Sequence, residues 1–345
     1  MIGNQNKSGT RQVLIEQGLH IRPAQFRDLR FVVPMLNRSS QAMFGASEFE
    51  LARYHAKWRA PDLDLERDTR LVLTEEEQPV GLVEVWSMSN PAVHLNVQGR
   101  VDPGWEGRGI GWAMLTWAHR RASASAEQVP SGLRVSLRCT VPAGYKPAVR
   151  LMTSFGLSPV RSSWDMVREL DSDLAKPVWP QGITLREFRF PGDARRVSAA
   201  DQAIFQDHWG FIPEEDESGY YRWRHYFFEH RHFDPSLWFL AMDADRIAGL
   251  ALCRPRAALD PGMGWISVLG VMPEWRRRGL GLALLQHAFC VFRSRGLGRV
   301  GLGVDSQNLT GATHLYRKAG MRIAQEKTLY ELEIRDGHEL QTEHA

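Results

Sequence analysis

The strongest constraint on this chain is that it repeats itself. VDPGWEGRGIGWAML, from Val101, and VMPEWRRRGLGLALL, from Val271, share V, P, W, R, G, G, A and L at matching places, an offset of 170 (271 less 101). LRVSLRCTV (133–141) resembles GRVGLGVDS (298–306). AVRLMTSFGL (148–157) resembles ATHLYRKAGM (312–321), and IRPAQFRD (21–28) resembles LREFRFPGD (185–193), both offset by 164. Agreement in order and spacing implies a duplication of about 160 residues, too long a period for a solenoid. At 345 residues the chain holds two domains of ordinary size. DSDLAKPVWPQG (171–182), with two prolines and a closing glycine, reads as the linker. The expected domains are therefore 12–172 and 182–336.

Composition narrows the class. With 43% hydrophobic and 24% charged residues, each half can build a packed core. A net charge of +3 is no footprint for nucleic acid, and only Arg276-Arg277-Arg278 concentrates positive charge. Cys139, Cys253 and Cys290 form no CxxC pair and no disulfide framework, which fits a cytoplasmic protein. No apolar run reaches about 18 residues, so neither a membrane span nor a signal peptide is expected. The first dozen residues and the tail after Glu333 read as loose ends. No metal-ligand spacing occurs.

Each half reads as mixed α and β. In the second, strands are expected near 184–188 and at 265–272, 299–305 and 327–334, with a hairpin over 238–253. Helices are expected around 193–206, from about Gly279, and over 312–320 with Gly320 as its cap. Leu280, Leu284, Leu285, Ala288 and Val291 recur at helical spacing in the second of these. Between the 265–272 strand and the Gly279 helix lies Arg276-Arg277-Arg278-Gly279-Leu280-Gly281. Glycines 279 and 281 let an anion approach the backbone. The helix's unpaired first N–H groups and its dipole favour negative charge, and Arg276 and Arg278 would add bonds to the same anion. This is a pyrophosphate cradle, without the Lys-Ser/Thr of a Walker loop and without the GxGxxG spacing.

That loop resembles the Q/R-x-x-G-x-G/A motif of the GCN5-related N-acetyltransferase (GNAT) superfamily. Asn308, Ala312, Leu315, Tyr316 and Gly320 match the residues around that family's next helix. The resemblance covers the second half and, more loosely, the first. Two such domains in tandem at this length resemble the mycothiol synthase group. The resemblance implies an α/β fold of two tandem domains, each a central, mostly antiparallel twisted sheet flanked by helices, with acetyl-CoA as co-substrate. Leu269, Gly270 and Val271 would hold the acetyl and pantetheine portions, and Arg276, Arg277, Arg278, Gly279, Leu280, Gly281 and Leu282 the pyrophosphate. Asn308 would bond the cofactor or a helix end. Tyr316 matches the tyrosine that protonates the departing thiolate, a role open to a neutral phenol. Many relatives carry a carboxylate base on the fourth strand, which Gly264-Trp265-Ile266-Ser267-Val268 lacks. Asp207 and Asp305 are the candidates instead, with His208 beside the first. The acidic run Glu214, Glu215, Asp216 and Glu217 would attract a cationic amine or form a solvated loop. Trp209, Trp223 and Trp238 either line an acceptor cleft or pack the core.

The first half departs from the motif. Glu106 replaces Arg276, Met152 replaces Tyr316 and Gly144 replaces Asn308, while Arg108, Gly109 and Gly111 are retained. It reads as non-catalytic, with acetyl-CoA binding left open and Tyr145 near the site. The expected function is acetyl transfer from acetyl-CoA to the primary amine of a small molecule, by direct attack in a ternary complex, in a monomer or homodimer. The alternative is a non-catalytic acyl-CoA sensor or scaffold. Nucleic-acid binding is the weakest reading.

Overall fold

The computed structural model describes residues 14–171, 174–213, 217–228, 232–308 and 311–343. The chain forms two compact units. One comprises Met1–Val160 with Thr328–Leu340, the other Arg161–Lys327 with Gln341–Ala345. The repeat boundaries and the units differ by an exchanged strand. The strand that follows each repeat's last helix belongs to the other unit's sheet. Residues 12 and 172, two of the expected domain limits, lie outside the described residues.

In the first unit the strands are β1 (Leu19–Arg22), β2 (Thr69–Thr74), β3 (Pro79–Ser87), β4 (His94–Val101) and β5 (Val135–Pro142). They lie side by side in that order, and the last strand of the chain, β12 (Arg322–Arg335), follows β5. Helices α1 (Leu29–Phe44), α2 (Leu51–Trp58), α3 (Leu65–Asp68), α4 (Ile110–Ala126) and α5 (Lys146–Phe155) complete it. Val32, Met35 and Leu36 of α1 pack with Tyr54, Trp58, Leu71, Leu73 and Leu82. Glu331 of β12 is tied to β5 and the turn before it, accepting from Arg138 Nε at 2.7 Å and Arg134 Nη2 at 2.5 Å. Burial alone would raise its carboxyl, but the two guanidinium groups bring it down to about 2.

The described tail, residues 334–343, is not loose. Arg335 donates to the carbonyls of Ala126, Val129, Pro130 and Leu133, and Glu339 accepts from Arg134 at 3.0 Å. These fixed side-chain partners order a segment whose polar composition suggested none.

The second unit's sheet runs β6 (Ser158–Glu169), β11 (Arg299–Asp305), β10 (Met263–Val271), β9 (Arg246–Arg254), β8 (Trp238–Asp243) and β7 (Ile183–Glu187). Only β10 and β11 run parallel among its described pairs. On one face lie α8 (Leu280–Ser294) and α9 (Ala312–Lys318); on the other, α6 (Ala194–Phe205) and α7 (Glu217–Phe228). Of the helical stripe expected from Gly279, Leu280, Leu284, Leu285 and Ala288 are at most 1% exposed and Val291 is half-buried, while Phe292, outside the stripe, is fully buried. The α8 helix approaches so closely that a Cβ on Gly264 would meet Phe292 Cδ1 at 2.5 Å. On the opposite face Trp223 and Trp238 are 8% and 2% exposed and pack with Phe228 and Phe233, so these tryptophans build the core. Trp209 stands apart from that cluster, under the Arg161 guanidinium at 5.0 Å.

Candidate active site

The splay of two parallel strands opens the site. Strands β10 and β11 pair from Met263↔Arg299 to Ile266↔Leu302 and then part. A β-bulge between Ile266 and Val268 coincides with the parting. A bulge twists and bends its strand, leaving one residue, Ser267, out of the ladder. Beyond Ile266 the β11-facing edge of β10 has no described strand partner, so backbone polar groups of Ser267–Val271 face a cleft of about 1030 Å³. Ser267 Oγ is buried there with no hydrogen-bond partner among the described residues. In the first unit β4 and β5 also part, after Asn96↔Arg138, but without a bulge. Its β3–β4 ladder runs without a break from Gly81↔Val101 to Ser87↔Leu95.

The glycine loop enters α8 at the cleft floor. Gly279 has φ +85°, a left-handed conformation suited to glycine, and a Cβ there would meet nothing within 4 Å. Arg277 adopts φ +62° as a non-glycine residue. The first-unit loop has the same trace, with Gly107 at +77° and Gly109 at +80°. Glu106 (−64°, 155°) and Arg276 (−62°, 156°) also match. The repeated sequence thus builds one backbone twice. The open helix end, glycines and neighbouring Arg277 fit a pyrophosphate.

Of the residues expected to bind acetyl-CoA, Leu269, Gly270, Val271, Arg276, Arg277, Gly279, Leu280, Gly281, Leu282 and Asn308 line this cleft. Arg278 instead borders a separate hollow with Asp243 and Pro180. In the first unit Gly109 and Gly111 line a corresponding cleft of about 800 Å³. Arg108 lies over the Trp105 ring at 4.5 Å.

The charged expectations need correction. Arg276 does not stand free for a phosphate. Its Nη1 and Nη2 donate to the two Asp207 carboxylate oxygens, its Nη2 to Ile204 O at 2.9 Å, and its Nε to Val271 O at 3.2 Å. It fastens the end of α6 to the strand that carries the cleft. The Arg276 guanidinium in turn holds the Asp207 carboxyl below the usual carboxylate range, which weakens it as a proton acceptor. Asp305 is also committed: Oδ2 accepts from Arg161 Nε at 2.8 Å and Oδ1 from the Gln307 backbone N–H at 2.9 Å. Arg161 is 144 residues away and belongs to no motif. Glu217 opens α7 and pairs with Arg195, while Glu214, Glu215 and Asp216 lie outside the described residues.

Two titratable groups are better placed. Tyr316, on α9, lines the cleft and is 6% exposed. Burial pushes its phenol up to about 12, so it is a neutral donor at physiological pH. His208 lines the same cleft, its ring against Phe205 at 4.7 Å and its Nε2 3.9 Å from Asp207. Burial lowers its pKa below 6.5 against the pull of Asp207, so the imidazole is neutral at pH 7 and can take a proton. Its sequence signal was adjacency to Asp207.

The first unit offers no equivalent pair. Met152 is buried at the Tyr316 position. Tyr145 precedes α5 and donates to Glu106 Oε1 at 2.5 Å. Burial and that bond raise its phenol to about 12. No group of three or more residues that could hold a metal, and no helix long and apolar enough to cross a membrane, occurs among the described residues.

Comparison with known proteins agrees with this geometry. The acetyltransferase (GNAT) family model matches residues 202–321. The mycothiol acetyltransferase of Thermobispora bispora is 34% identical over 227 residues, covering 64% of this chain and 70% of that protein. A GCN5-related N-acetyltransferase from Sphaerobacter thermophilus superposes with TM-score 0.76 at 31% identity, over 93% of this chain and 98% of that one. A tandem GNAT protein from the clavulanic acid pathway shares the fold, with TM-score 0.68 at 14% identity over 93% and 100% of the two chains. The chain belongs to the GNAT acetyltransferase family in its tandem form, and is an acetyl-CoA-dependent acyltransferase.

Proposed function

We propose that this enzyme transfers the acetyl group of acetyl-CoA to the primary amine of a small molecule by direct attack in a ternary complex, with the chemistry confined to the second unit. The observation that carries this reading is Tyr316, a buried neutral phenol in the cleft that also holds the glycine loop. The loop and the α8 N-terminus hold the pyrophosphate through backbone N–H groups. The unpaired edge of β10 presents backbone donors to the negative charge that develops on the thioester oxygen. His208 takes the proton from the attacking amine, directly or through one water, and Tyr316 gives one to the departing thiolate. No cysteine lies in the cleft lining, consistent with transfer without an acyl-enzyme.

The reading is tested by CoA thiol release from acetyl-CoA against a panel of small primary amines, with mycothiol-related amines first because of the relatives' name. Turnover with at least one amine is expected. Acetyl-CoA binding without release across the panel would favour a non-catalytic binding protein.

The base has its own test. His208→Gln is expected to lower kcat by about 100-fold or more and to remove the acid limb of the kcat–pH profile. In the wild type that limb lies below pH 6.5, because the imidazole is active only once deprotonated and burial lowers its pKa. Asp207→Asn, by contrast, is expected to keep kcat within about fivefold, since that carboxylate acts on Arg276. A collapse of kcat in Asp207→Asn with His208→Gln unaffected reverses the assignment.

A further inference from the structure

The two clefts differ most where their shared backbone predicts they should agree. Arg100 on β4 stands at the register position of Gly270 on β10: Leu82 faces the first, Leu250 the second. In the second unit this position has no room. A Cβ on Gly270 would meet Ile204 Cγ2 at 2.4 Å and the Phe205 ring at 3.3 Å. In the first unit the sizes are exchanged. The strand carries a long cation, and α1 presents the small Ser39 and Ser40, both at most 2% exposed.

The surroundings of Arg100 are polar by construction. Lys57 bridges Glu84 at 2.5 Å and Gln98, the next residue on the same face of β4, at 2.7 Å. Ser40 Oγ donates to Glu48 Oε2 at 3.1 Å. Arg100 itself is incompletely satisfied. Its Nη2 is 3.5 Å from Glu48, beyond a good charge-assisted bond, and its Nη1 reaches only the carbonyl of Gly99 at 3.2 Å. Its Nε is buried with no acceptor among the described residues. The side chain is 15% exposed and lines the cleft of about 800 Å³. A guanidinium removed from water with one loose carboxylate gains from a second acceptor.

We infer that the first unit's cleft is a carboxylate site centred on Arg100, its ligand either a CoA thioester whose acyl group ends in a carboxylate or a free small carboxylic acid. The retained glycine loop and α4 N-terminus make the first source accessible. If a thioester sits there as proposed for the second unit, its acyl end comes to the Gly270 position, which Arg100 occupies. An acetyl group ends in a methyl that offers a guanidinium nothing, whereas a carboxylate accepts its paired N–H groups. Arg100 lies in the first unit, so this site stands or falls separately from the acid and base of the second.

Calorimetric titration of the full chain with succinyl-CoA, acetyl-CoA and succinate distinguishes the sources. At the first-unit site, fitted as a second site beside the acetyl-CoA site of the second unit, succinyl-CoA is expected to bind about tenfold or more tightly than acetyl-CoA. Arg100→Met should abolish the difference and Arg100→Lys retain part of it. Succinate binding to the wild type and not to Arg100→Met supports the site with a free acid as its ligand. The site is overturned if the wild type binds the two thioesters equally and gives no heat with succinate. It is also overturned if Arg100→Met, melting at the wild-type temperature, leaves all three affinities unchanged. The wild-type comparison decides the matter even if Arg100→Met fails to fold.

Discussion

Replacing Tyr316 by Phe is expected to lower kcat by about 100-fold or more while the KM for acetyl-CoA stays within about twofold. The ring is buried on α9 among Leu280, Leu284 and Ala319, so phenylalanine keeps the packing and loses only the hydroxyl. Burial holds the phenol protonated to about pH 12, so its proton is available to a thiolate throughout the working range. The loss therefore falls on the step in which CoA departs. Equal losses in kcat and in acetyl-CoA affinity would instead give Tyr316 a binding role.

The second large effect concerns stability. Glu84 on β3 is fully buried and accepts from Tyr54 Oη at 2.7 Å, Trp58 Nε1 at 2.7 Å and Lys57 Nζ at 2.5 Å. Removing the carboxylate strands the Lys57 charge and leaves two buried donors without an acceptor. Glu84→Ala is expected to cost about 3–5 kcal/mol, the range for breaking one side of a buried pair. Denaturant unfolding followed by tryptophan fluorescence measures this, Trp58 being part of the cluster. A cost below about 1 kcal/mol would mean that water replaces the carboxylate. The equivalent position in the second unit is Leu252, so the same fold is held there by an apolar contact.

The sequence shows the scaffold more readily than the partners of its charges. The loop is legible because its physics is local: glycines, a strand before it and a helix after it. Tyr316 is legible from its distance to that loop. The Asp207–Arg276 pair is not, because 69 residues separate it and nothing in the loop motif points to Asp207. It gives Arg276 and Asp207 each other as partners, a commitment that the loop motif does not announce. The strand exchange is equally hidden. The alternation within β6 and β12 fits either sheet, and only long-range ties such as Arg134 to Glu331 select between them. Helix α7 is hidden in the sequence because Tyr220, Tyr221, Trp223, Tyr226, Phe227 and Phe228 spread aromatic residues around its circumference and blur the helical period. The β10 bulge leaves no sequence mark beyond a serine in an apolar strand.

In the proposed mechanism only one of the two similar clefts does the chemistry. Each holds one tyrosine beside its loop: Tyr316 in the second, Tyr145 in the first. The most direct measurement is kcat for CoA release, with an amine the enzyme accepts, in Tyr316→Phe and Tyr145→Phe side by side. A loss of about 100-fold in the first and less than about twofold in the second is the predicted result. A comparable loss in Tyr145→Phe, or near wild-type turnover in Tyr316→Phe, would contradict it.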